Sequence, residues 1–101
     1  MTAMSAPAAP RLSVLIPCYN EAATIEAIVR KVVSAPFPGK EIIVVDDGST
    51  DGTRDILRTK IEPMGVRVIL QEKNRGKGAA LREAFRAATG DLWIVQDADL
   101  E

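Results

Sequence analysis

Glu41-Ile42-Ile43-Val44-Val45-Asp46-Asp47-Gly48 is the stretch that decides the fold. Four consecutive β-branched residues leave no polar side for water, so a strand made of them needs cover on both faces, as strands inside a parallel sheet have. The run empties at once into two carboxylates and a glycine. Upstream, Leu12-Ser13-Val14-Leu15-Ile16 reads as a first strand stopped by Pro17. Between the two, Ile25, Ile28, Val29, Val32 and Val33 recur at helical spacing, with Asn20 as the expected N-cap and Pro36-Phe37-Pro38-Gly39 as the stop.

Downstream the alternation continues. A second helix is expected from Thr50 or Asp51, burying Ile56, Leu57 and Ile61, with Pro63 and Gly65 ending it. A third strand covers 66–70. A third helix covers about 76–88, with Leu81, Ala84, Phe85 and Ala88 on one face and Gly90 as its stop. A fourth strand, Leu92-Trp93-Ile94-Val95, closes the series; Trp93 is expected in the core. The order βαβαβαβ predicts a three-layer α/β fold, a parallel sheet with right-handed crossovers and helices on both faces. With strands ordered 3-2-1-4, the chain reverses across the sheet between strands 1 and 4, and ligands bind there, beyond the carboxyl ends of the strands.

Four polar clusters fall on that rim. Pro17-Cys18-Tyr19-Asn20-Glu21 follows strand 1; it is a strand stop and cap, or a binding loop in which Tyr19 offers a ring face to a nucleobase. Asp46-Asp47-Gly48-Ser49-Thr50-Asp51-Gly52-Thr53 follows strand 2 and suits a turn and helix cap. Equally, one of its adjacent carboxylates can accept hydrogen bonds from a base or ribose while the other braces the loop. Asn74-Arg75-Gly76-Lys77-Gly78 opens the third helix, as a solvated turn or as a diphosphate site built from Arg75, Lys77 and the helix N-terminus. It matches neither a Walker A loop nor a dinucleotide fingerprint. Asp97, Asp99 and Glu101 alternate after strand 4; such oxygens can hold Mg²⁺ or Mn²⁺ together with substrate phosphates, or simply form a polar chain end.

Composition narrows the classes. The chain has 101 residues, 47% hydrophobic and 27% charged, with net charge −1, which is a globular balance that excludes a nucleic-acid-coating protein. A domain this short buries only about 60–65% of the surface its unfolded chain exposes, so its stability margin is thin. The single cysteine, Cys18, precludes an internal disulfide and suggests a cytoplasmic setting; with no His in the chain, it is read as a small semi-buried residue. Residues 1–11 are expected to be a disordered Ala/Pro-rich tail without the features of a secretory signal. No apolar run approaches the ~20 residues needed to cross a bilayer.

Taken together, Val14–Glu21, Ile43–Thr53, Asn74–Gly78 and Gln96–Asp99 resemble the family 2 inverting glycosyltransferases of the GT-A fold, over residues 12–101. The wording Gln96-Asp97-Ala98-Asp99-Leu100-Glu101 is most similar to the dolichyl- and polyprenyl-phosphate sugar transferases. The resemblance implies that 12–101 is the nucleotide-sugar-binding part of a transferase domain, ending just after its D-x-D motif and inactive alone. It further implies that Pro17, Tyr19 and Glu21 line the nucleotide pocket, and that Asp47 holds base or ribose with Val45 adjacent. Asp97, Ala98 and Asp99 would meet the diphosphate with Lys77 nearby, and Asp99 and Glu101 would be the direct ligands of Mg²⁺ or Mn²⁺.

The implied donor is GDP-mannose or a UDP-sugar and the implied acceptor a polyprenyl or dolichyl phosphate. Such an acceptor is already an oxyanion, which suits a chain without His. A saccharide hydroxyl acceptor would need a carboxylate base outside this chain. Other readings are a non-catalytic nucleotide-sugar-binding module and a nucleotidyltransferase; the latter would carry a Gly-rich, Arg-containing loop after strand 1, unlike Pro17–Glu21. In a longer parent, membrane helices would lie past Glu101 and hold the domain at a cytoplasmic membrane face. Strand 4, apolar on both faces, is expected at the sheet edge, where it invites dimerisation or aggregation.

Overall fold

A computed structural model describes residues 11–37 and 39–99. Four strands, β1 (Leu12–Cys18), β2 (Glu41–Asp46), β3 (Arg67–Leu70) and β4 (Leu92–Val95), form one parallel sheet in the order β3-β2-β1-β4. This is the α/β architecture that the apolar runs predict, with the strand order 3-2-1-4 that is common for such a half. Alternation along each strand sorts the core into two layers. Val14, Ile16, Ile42 and Val44 pack on one side with Ile25, Ile28 and Val29 of helix α1 (Ile25–Ser34) and with Leu57 and Ile61 of the second helical segment. Leu15, Ile43 and Val45 pack on the other side with Ala80 and Ala84 of helix α3 (Lys77–Ala87).

Several elements differ from expectation for local reasons. Pro17 does not end β1: it pairs with Val45, and Cys18 pairs with Asp46. The Leu15 carbonyl accepts from Gln96 of the β4 side and the Cys18 carbonyl from Asp47 of the β2 side. Pro17 is in phase with Leu15, so its missing N–H faces the β4 side, where that strand has already ended. Asn20 does not cap α1; the N-cap is Thr24. Asn20 instead takes a left-handed backbone, φ +53°, and bonds across to the loop after β2.

The second helical segment starts at Thr53, not at Thr50 or Asp51, because Asp51 turns its carboxylate onto the Thr53 N–H at 3.0 Å. It is α-helical only over α2 (Thr53–Ile56), widens to a π-helical stretch over Leu57–Ile61, and tightens to 3₁₀ over Glu62–Met64. Pro63 lacks the N–H that would bond the Thr59 carbonyl and crowds it, so the turn opens and Glu62 donates to Leu57. On α3 the buried positions are Ala80 and Ala84, whereas Phe85 is 40% exposed. Trp93, expected in the core, is 55% exposed and meets Phe85 edge-on at 4.6 Å. Both follow from β4 lying at the sheet edge, where no further element among the described residues covers them.

Candidate functional site

All four loops leaving the carboxyl ends of the strands meet at the β1/β4 switch point. The first two are stitched together by backbone N–H groups that donate to side-chain oxygens of the facing loop. Asn20 donates its N–H to Ser49 Oγ and accepts from Thr50 N–H, both at 2.8 Å, and Glu21 N–H donates to Thr53 Oγ1 at 3.0 Å. The adjacent carboxylates both act as braces. Buried Asp46 accepts from Ser49 N–H at 2.9 Å, with Arg54 Nε 3.8 Å away, and so shapes its own loop. Asp47, 3% exposed, accepts from Arg75 N–H at 2.8 Å and Gly76 N–H at 2.9 Å, which clamps the third loop to the second. A carboxylate has about four acceptor sites, so Asp47 retains capacity for a ligand while it holds the loop.

Between the loops lies a cavity of about 330 Å³. Pro17, Tyr19 and Glu21 reach it from the first loop, Asp47 from the second, Lys77 from the start of α3, and Asp97, Ala98 and Asp99 from the fourth. Tyr19 is 44% exposed, so its ring is open to a ligand. Val45 is fully buried in the α3-side layer beneath this rim and is not among the lining residues. The Arg75 side chain does not line it either; its contribution is the backbone N–H given to Asp47. Glu101 lies outside the described residues.

The cavity also takes in Cys18, Asn74 and Gly76, which stand in the rim clusters Pro17–Glu21 and Asn74–Gly78, and Ala80, which lies outside all four clusters. Ala80 carried a usable signal, since a small residue one turn after Gly76 faces the sheet and leaves room. Cys18 is buried; burial, then the neighbouring Asp46 carboxylate, pushes its thiol well above the usual range, so it is no thiolate nucleophile at neutral pH.

Charge is arranged at one end. Lys77 Nζ sits 2.7 Å from Asp97 Oδ1, and this hydrogen bond raises the Lys77 ammonium above its ordinary value and keeps it cationic. Among the described residues no group of three or more His, Cys, Asp or Glu is gathered for a metal. A hard divalent ion that also binds substrate phosphates needs only one or two carboxylates from the protein, and Asp97 and Asp99 line the same cavity. Their carboxylate oxygens are the hard donors that Mg²⁺ or Mn²⁺ takes, and in this structure Asp97 is paired with the Lys77 ammonium. No helix among the described residues is long and apolar enough to cross a membrane.

Comparison with known proteins agrees with this geometry. The chain is 36% identical over 88 residues to the poly-beta-1,6-N-acetyl-D-glucosamine synthase of Staphylococcus epidermidis, covering 87% of the chain and 21% of that protein. It is 36% identical over 92 residues to the dolichol-phosphate mannosyltransferase of Pyrococcus furiosus, covering 90% and 26%. A solved mannosyltransferase from Pyrobaculum calidifontis, in complex with GDP-Man and Mn²⁺, superposes with a TM-score of 0.81 at 37% identity, over 89% of the chain and 28% of that structure. The chain thus spans roughly a quarter of the length of such relatives. The model of glycosyl transferase family 2 matches residues 13–101, the whole span from β1 through the acidic loop, and the chain belongs to that family.

Proposed function

We propose that this chain is the donor-binding part of an inverting glycosyltransferase, which transfers a sugar from GDP-mannose or a UDP-sugar to a polyprenyl or dolichyl phosphate on the cytoplasmic side of a membrane. The observation that carries the reading is the single cavity that joins an open aromatic ring, Tyr19, to a cationic and acidic corner, Lys77 with Asp97 and Asp99. In this reading Tyr19 and Pro17 face the nucleobase. Asp47 holds base or ribose while keeping the third loop in place, and Lys77 neutralises the diphosphate. Asp97 and Asp99 would hold Mg²⁺ or Mn²⁺, with Glu101 as a further candidate. When bound, such an ion supplies Lewis-acid stabilisation of the negative charge that develops on the diphosphate leaving group.

A lipid phosphate acceptor arrives as an oxyanion, so the chain's own residues need move no proton to activate it. The second reading, transfer to a saccharide hydroxyl, is favoured by the similarity to the poly-beta-1,6-N-acetyl-D-glucosamine synthase. It requires a base supplied from outside this chain.

Calorimetric titration of the chain with GDP, UDP, GDP-mannose and UDP-GlcNAc, each with and without Mn²⁺, tests the donor site. The expected result is binding of one nucleotide class that strengthens at least tenfold with Mn²⁺ and no sugar transfer by the chain alone. Failure to bind either class, or binding indifferent to the metal, would overturn it.

A further inference from the structure

The loops on the rim are not held equally. The first three are tied by hydrogen bonds from loop to loop, those of Asn20, Glu21 and Asp47 among them. The acidic segment 97–99 is different: among the described residues, its polar contacts with other elements are the Lys77–Asp97 ion pair and one hydrogen bond, from Thr24 Oγ1 to the Ala98 carbonyl at 2.7 Å. The ion pair joins side chains that are 61% and 60% exposed. Pairs so open to water restrain position weakly. Ala98, by contrast, is only 5% exposed and packs into the α1-side core, so its carbonyl is a defined anchor point.

Thr24 is the N-cap of α1, where a threonine oxygen ordinarily accepts an N–H from the first helical turn; here it makes no such bond. Its hydroxyl also lies 3.2 Å from Glu21 Oε2, but it has one proton and the shorter contact is with Ala98. We propose that Thr24 is a positioning residue for the acidic segment: by holding the Ala98 carbonyl it sets where the Asp97 and Asp99 carboxylates stand relative to the Pro17–Glu21 wall. The inference rests on the donor-site reading above. It predicts that the tether governs the metal-dependent part of donor binding and leaves the nucleobase part alone, since the first two loops are held without it.

The wild-type chain, Thr24→Val and Thr24→Ser are titrated with GDP and UDP across a range of Mn²⁺ concentrations, and amide exchange at 97–99 and the urea midpoint are measured for each. Loss of one hydrogen bond predicts that Thr24→Val raises the Mn²⁺ concentration needed for binding by about 3- to 10-fold. Metal-free nucleotide affinity should stay near wild type, the urea midpoint should fall by no more than the loss of one hydrogen bond accounts for, amides at 98–99 should exchange faster, and Thr24→Ser should restore all of these. If Thr24→Val does not fold, Thr24→Ala makes the same comparison. Unchanged Mn²⁺ dependence, or equal losses with and without metal, would overturn the inference while leaving the donor site intact. Should the wild type show no Mn²⁺-dependent binding, the donor-site reading fails, and unchanged amide exchange in Thr24→Val then sinks the tether as well.

Discussion

Gly48 stands where the loops after β2 and β3 touch, and it has no room for a side chain. Its φ is +80°, and a Cβ there would lie 2.6 Å from the Asn74 nitrogen and from the Lys73 carbonyl carbon. Gly48→Ala should therefore destabilise the chain by about 2–4 kcal/mol, the sum of left-handed strain and backbone overlap. Gly52 is the control, because its φ of +99° adjoins open space and Gly52→Ala should cost only about 1–2 kcal/mol. Urea denaturation of the two variants checks the difference; equal losses would show that the loops part freely. Asp-Asp-Gly is legible in the sequence as a turn. That its glycine abuts Lys73 and Asn74 is not legible, because the contact exists only once β3 lies beside β2.

At the scale of elements, the rim opposite the pocket is fastened through one side chain. Glu41, at the start of β2, accepts hydrogen bonds from the Ser13 hydroxyl of β1 and from the Thr89 and Gly90 N–H groups of the α3–β4 connection, with Arg11 Nη2 3.8 Å away. One carboxylate thereby fastens three elements. Gly90, expected as a helix stop, matters here for its size, since a Cβ would run into Ser13 and the Arg11 carbonyl. Partial burial pushes the Glu41 carboxyl up, but the Ser13 and Thr89 hydrogen bonds and Arg11 outweigh it and hold the group below its ordinary 4.5. A lowered carboxyl stabilises the fold above the unfolded value, and that contribution is lost as pH falls through the folded one. Glu41→Gln should then be less stable than wild type by about 1–3 kcal/mol at neutral pH, with the gap closing below about pH 4.5. Denaturation midpoints from pH 3 to 7 check this, and a gap that does not vary with pH would refute it.

For the molecule as a whole, the open side of β4 dominates. Leu92, Trp93, Ile94 and Val95 are 54, 55, 48 and 41% exposed, and among the described residues β4 pairs only with β1. An apolar strand with a free ladder recruits other chains. The 101-residue chain should self-associate with rising concentration in sedimentation velocity, and Ile94→Lys should return it to monomer by placing a charge on that edge. A wild-type chain that stays monomeric while β4 amides exchange slowly would refute the idea.

The sequence by itself determined the alternation of strands and helices, the parallel sheet, and the gathering of four polar motifs on one rim, because side-chain periodicity and turn chemistry are properties of neighbours along the chain. Only the tertiary structure decided which acidic residues are clasped and which stand open, Asp46 and Asp47 against Asp97 and Asp99. It alone directed Asn20 to the second loop and Thr24 to Ala98, and left Phe85 and Trp93 uncovered. Those outcomes depend on partners up to 74 positions away, and partners at that distance are set by sheet order and register.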